Sequence, residues 1–167
     1  MVSRALTGFF VACMFALPAA AQQTVFLVRH AERADSSPGT SPTMAADPDL
    51  SDAGRTRAEH LAEALKDAKI TAIFATEFKR TQQTAAPLAK ALGLTVKVVS
   101  SNSEASLIAD LKAAKGNVLV VGHSNTVPEI IKRLGVTTAV SIGDNDFDNL
   151  FVVSRGTHPS LLRLHYR

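Results

Sequence analysis

Apolar residues along this chain switch between two periods. Residues 24–28, TVFLV, form a short Val-rich run that reads as a buried strand. Residues 34–50, ADSSPGTSPTMAADPDL, are dense in Ser, Pro, Gly and Asp and read as a long loop. A loop of this length inside a compact domain is usually functional or disordered. Ser51 can cap a helix that runs to about Asp67, with Asp52 in its first turn and Leu61, Ala62 and Leu65 as its apolar stripe. Residues 70–76, ITAIFAT, give a second strand, and 77–92 a second helix stopped by Gly93. A third strand covers 94–98 and a third helix 103–115, stopped by Gly116. Residues 118–122, VLVVG, have no polar face, which predicts a central strand. A short helix over 127–134 carries Pro128 in its first turn. Residues 150–154 and 161–166 read as a closing hairpin, its last strand at a sheet edge.

Strand and helix therefore alternate. The pattern predicts an α/β fold, a three-layer sandwich with a largely parallel central sheet, helices on both faces and an antiparallel edge strand. In open sheets of this class ligands bind beyond the carboxyl ends of the strands. The loop 34–50 and the segment from Gly143 to Asn149 are expected to shape the entrance of such a site.

The first twenty-one residues break this pattern. Arg4 precedes a nearly unbroken apolar run over 5–17, then Pro18 and three alanines. This is the layout of a secretory signal peptide cleaved after Ala21. The run is short for a bilayer span, so no stable membrane insertion is expected after cleavage. The expected organisation is a signal peptide over 1–21 and one domain over 22–167, exported to a periplasm or the medium. The only cysteine is Cys13, so the mature chain has neither disulfides nor thiolate metal sites. Without Arg4 it carries 17 basic against 15 acidic residues. That near balance, with no basic run interleaved with aromatics, argues against a nucleic-acid partner.

Chemistry-bearing residues collect where the strands end. The first strand runs into Arg29 and His30, and the fourth into Gly122-His123-Ser124. The second ends at Thr76, with Arg80 one helical turn on and Thr84 four residues later. If these strands are neighbours, two histidines and two arginines share one crevice. Paired guanidinium groups repel unless an anion lies between them, and a guanidinium fork suits phosphate oxygens. The other histidines, His60, His158 and His165, have no such company. No metal-ligand spacing is visible, and no cofactor is expected.

These segments resemble the histidine phosphatase superfamily, also called phosphoglycerate mutase-like. VRHAER resembles its Arg-His-Gly-Glu signature, ATEFKRTQQTA its second motif and VVGHSN its third. LSDAGRTRAEHLAEAL is similar to its first helix. Order and spacing agree from about residue 24 to 155. The resemblance implies that His30 is the nucleophile taking a phosphoryl group on a ring nitrogen. It implies that Arg29 and Arg80 clamp the phosphate oxygens and that His123 completes the pocket. The partner is then a small phosphorylated substrate, and no metal is required.

The sequence departs from the family at Ala31, where Gly is usual, and at Thr76, where Ser is commoner. The larger gap is the proton donor. Mutase-like members use a Glu in an insertion after the second motif, and acid-phosphatase-like members an Asp directly after the second His, which here is Ser124. Glu104 and Glu32 are the remaining candidates, although Glu104 equally suits a helix start and Glu32 the ordering of its loop. An esterase reading through Ser124 fails because GHSNT ends in Thr126, not the Gly a nucleophile elbow needs. Three readings remain: a metal-independent phosphatase acting on phosphomonoesters or phosphoramidates through phosphohistidine, a mutase-like phosphotransferase, and an exported non-catalytic phospholigand-binding module.

Overall fold

The computed structural model describes residues 23–35 and 47–167. The expected signal peptide, 1–21, lies outside the described residues, as does most of the loop 34–50. Ten elements follow in order: β1 (Thr24–Arg29), α1 (Asp52–Leu65), β2 (Ile70–Thr76), α2 (Lys79–Leu92), β3 (Val96–Val99), α3 (Glu104–Ala113), β4 (Asn117–Gly122), α4 (Thr126–Arg133), β5 (Asn149–Ser154) and β6 (Ser160–His165). They make one six-stranded sheet in the order β3-β2-β4-β1-β5-β6. The first four strands in that order pair in parallel, and β5 and β6 add antiparallel ladders at one edge.

The period-2 pattern decides which face each side chain meets. Val25 and Leu27 of β1, Val118 and Val120 of β4, and Phe151 and Val153 of β5 point into one core, with Leu107 and Leu111 of α3 and Ile130 and Ile131 of α4. Their neighbours Val28, Leu119, Val121 and Leu150 point into the other, with Leu61 and Leu65 of α1 and Leu88 of α2. Burial on both faces is why the central strands lack a polar side.

Boundaries differ from the sequence pattern mainly at α2 and β3. The helix starts at Lys79, not at 77, because Glu77 and Phe78 make the turn out of β2. Phe78 has no capping side chain; the Thr81 hydroxyl instead donates back to the carbonyl of Phe78 (2.7 Å) or Thr76 (2.9 Å). Gly93 closes α2 in the left-handed conformation, φ 65°, as its type allows. The third strand begins two residues later than expected, at Val96. At α1, Ser51 Oγ accepts from Gly54 N at 3.1 Å, the expected cap. Gly54 is required there: a Cβ would lie 2.2 Å from the Glu32 carbonyl oxygen. Helix α1 thus packs directly on the backbone that follows β1.

Candidate active site

Because β4 lies between β1 and β2, the carboxyl ends of these three strands meet. Arg29 is in register with Gly122, and the His30 amide donates to the Gly122 carbonyl at 2.9 Å. His30 and His123 each follow a strand end and approach edge to face, ring centroids 5.4 Å apart. Both are buried, 5% and 4% exposed. Gly122 has a steric reason: a Cβ would sit 2.8 Å from Thr126 Oγ1, the oxygen that accepts from the His123 amide at 3.0 Å. The backbone after β1 is tied to α2, since the Ala31 amide donates to Thr84 Oγ1 (3.0 Å), which donates to the Arg80 carbonyl (2.7 Å).

The two imidazoles are set differently. Nδ1 of His30 lies 2.8 Å from the Ala31 carbonyl. A carbonyl only accepts, so Nδ1 carries the proton and Nε2 keeps its lone pair. Burial lowers the His30 pKa to about 3; the contact to Ala31 opposes this, and His123, Arg29 and Arg80 reinforce it. Nε2 of His123 lies 2.9 Å from Thr76 Oγ1, and its Nδ1 is buried with no partner. Burial, then the nearby Arg80, lowers the His123 pKa to about 4, against the opposing pull of Glu77. In its imidazolium form this ring would donate Nε2–H to Thr76 and leave a second N–H for an anion.

Arg80 is fully buried, and none of its three side-chain nitrogens has a hydrogen-bond acceptor. It stacks on Phe78, 4.1 Å from the ring centroid, and the nearest carboxylate oxygen, Asp47 Oδ1, is 3.7 Å from Nη1. That oxygen accepts instead from the Lys79 amide at 2.9 Å. Burial, then Arg33, lowers the Arg80 pKa, with Asp47 opposing. A buried guanidinium without hydrogen bonds is costly, by several kcal/mol, and a single carboxylate at ion-pair distance offsets only part of that. An anion would satisfy it. Arg29 lies across the site over Phe147, 4.2 Å from the centroid, with Nη1 donating to the carbonyls of Gly143 (2.7 Å) and Asp144 (2.9 Å). The expected entrance segment from Gly143 to Asn149 therefore does reach the site. Nε of Arg29 is buried without a partner.

Arg33, Phe78 and Phe147 escaped the sequence reading. Arg33 is buried and grips Asp35 with Nε (2.9 Å) and Nη2 (2.5 Å), and its charge weighs on both Arg80 and His123. Its only sequence signal was its place three residues after His30. The two candidate proton donors are each paired with an arginine. Glu32 is held by Arg57 through contacts of 2.6 to 2.9 Å, and Glu104 pairs with Arg133 of α4. Glu77, beside the site, accepts from the amide (2.7 Å) and hydroxyl (2.8 Å) of Ser101. Burial opposes its ionisation, but these bonds prevail and its pKa is lowered. His165 pairs with Asp148 at 3.1 Å. Among the described residues no three His, Cys, Asp or Glu side chains come together to hold a metal.

Residues 25–107 match the family model of the histidine phosphatase superfamily (branch 1), a segment that includes Arg29, His30 and Arg80 and ends before His123. No curated protein sequence matches the chain. Solved structures share its fold. An Escherichia coli protein assigned as an alpha-ribazole-5'-P phosphatase superposes with TM-score 0.71 at 16% identity, covering 86% of this chain and 96% of its own. A mycobacterial glucosyl-3-phosphoglycerate phosphatase solved with VO3 gives 0.68 at 18%, covering 84% and 97%. An Agrobacterium tumefaciens protein assigned as the phosphohistidine phosphatase SixA gives 0.61 at 21%, covering 84% and 97%.

Proposed function

From the premise that the chain belongs to the histidine phosphatase superfamily, we propose that it is a metal-independent phosphatase working through a phosphohistidine on His30. The observation that carries this reading is Arg80, a buried cation without a hydrogen bond beside two buried, uncharged imidazoles. A phosphoryl group there would accept from Arg80, from Arg29 Nε and from His123 Nδ1. Its charge would favour the His123 imidazolium. His30 Nε2, unprotonated at neutral pH, attacks phosphorus: the N–P bond forms as the bond to the leaving group breaks. Water then attacks phosphorus, the N–P bond breaks, and inorganic phosphate leaves as His30 recovers its lone pair. Clamping by the arginines supplies positioning and charge stabilisation, the main catalytic terms in phosphoryl transfer.

The leaving group must gain a proton, and positioned donation is worth about 10²–10⁴-fold. Glu32, Glu104, Glu77 and Asp47 are all held in other contacts, and the segments outside the described residues contain no Asp or Glu. The reading is therefore of a small phosphorylated substrate whose leaving group departs easily, an aryl phosphate or a phosphoramidate. The charge-then-apolar-then-AAA pattern of residues 1–21 supports export. The test is steady-state hydrolysis by the chain beginning at Gln22. We expect turnover of phenyl phosphate in excess EDTA and slower turnover of alkyl phosphates. Loss on EDTA restored by a divalent ion would overturn the mechanism, and phosphate binding without turnover would favour a binding module.

A further inference from the structure

Four rings stand in a row along the candidate site. Phe147 is 6.3 Å from His30 between centroids, His30 is 5.4 Å from His123, and His123 is 5.2 Å from Phe78. The two inner rings are buried and the two outer ones keep partial exposure. Each outer ring also supports an arginine, Phe147 under Arg29 and Phe78 under Arg80. The two phenylalanines thus stand at opposite ends of this row, each against one histidine and each partly open to solvent.

We propose that Phe78 and Phe147 are specificity-determining residues that select a flat aromatic ring carried by the phosphoryl group, either directly or through the ester oxygen. The inference rests on the phosphoryl site proposed above and adds the character of the group it carries. An arginine occupies one face of each phenylalanine, and partial exposure leaves the remainder of the ring to contact a ligand. Aromatic pairs in offset or edge-to-face contact are favourable beyond the area they bury, and an alkyl group offers no such partner. Aryloxide and imidazole leaving groups share this chemistry, and both depart without a strong acid more readily than an alkoxide does. The rim and the contacts that hold Glu32, Glu77 and Asp47 then point to the same substrates.

The test is binding by calorimetry, which needs no turnover. The ligands are phenylphosphonate, methylphosphonate and inorganic phosphate, measured on the wild type, Phe78→Leu and Phe147→Leu. The wild type should prefer phenylphosphonate to methylphosphonate, and each variant should lower that ratio by about 3–10-fold. Loss of the arginine support weakens all three ligands together and leaves the ratio unchanged, so inorganic phosphate reports it separately. Equal weakening of all three ligands, or an unchanged ratio in both variants, would overturn the inference and reduce the rings to supports. If no phosphorus ligand binds the wild type at all, the phosphoryl site itself fails.

Discussion

The two arginines of the site are built in opposite ways. Arg29 is anchored by the fold: its guanidinium donates to two carbonyls of the Gly143–Asp144 segment and lies on Phe147. Arg80 has the ring of Phe78 beneath it and no hydrogen bond. Folding alone gives the first guanidinium two hydrogen bonds, leaving its buried Nε unpaired, and gives the second none. A group that destabilises the free protein and would be satisfied by a ligand marks where function overrides stability.

Replacing each arginine by methionine should separate the two. Arg80→Met should lower kcat/KM by about 10³-fold, the low end for losing an arginine that stabilises a transferring phosphoryl group. It should also stabilise the free chain by about 1–4 kcal/mol, since an apolar side chain of similar volume replaces a buried ion lacking hydrogen bonds. Arg29→Met should cost about 10²-fold in kcat/KM. It should destabilise the fold by about 1.5–3 kcal/mol through its lost charged hydrogen bonds. Steady-state kinetics and urea melts read both quantities. Stability changes of the same sign would break the comparison.

Phosphate sharpens it next. At 100 times its dissociation constant, inorganic phosphate should stabilise the wild type by about 2.7 kcal/mol. The same concentration should do little for Arg80→Met in a thermal melt.

The histidines give a pH signature. Both rings hold fewer protons folded than unfolded, since their pKa values fall from 6.5 to about 3 and about 4. Their contribution to stability is therefore complete above pH 6.5 and is lost as the pH falls toward 4 and then 3. The slope should reach about 1.4 kcal/mol per pH unit for each ring. Denaturant melts of His30→Gln and His123→Gln should each show a shallower slope than the wild type below pH 6. Phosphate should oppose the loss at His123, because an anion favours the imidazolium.

Much of this site was legible because strand ends are legible. Arg29-His30 and Gly122-His123 follow apolar runs that only a buried sheet explains, and β4 between β1 and β2 brings them together. The supporting residues were not legible. Phe78 looks like the start of a helix, and only the turn after β2 places its ring between Arg80 and His123. Phe147 lies 117 positions after His30 in the sequence and reaches it through the pairing of β1 with β5. Glu32 looked like a possible acid because Arg57, which holds it, is 25 residues away on α1. Loop closure, not local pattern, made these contacts.

The smallest expected effect concerns Glu104. Its pairing with Arg133 is a contact between α3 and α4, so Glu104→Gln should change turnover of aryl and alkyl phosphates by less than about twofold. A selective loss of the alkyl substrates would identify Glu104 as the acid and remove the leaving-group argument.

The most direct measurement is a rapid alkaline quench of the wild type turning over ³²P-labelled phenyl phosphate, followed by peptide mapping. The account predicts alkali-stable, acid-labile label on His30 and none in His30→Ala, whose turnover falls below a few per cent. Label on another residue, or a His30→Ala variant that keeps its turnover, would contradict it.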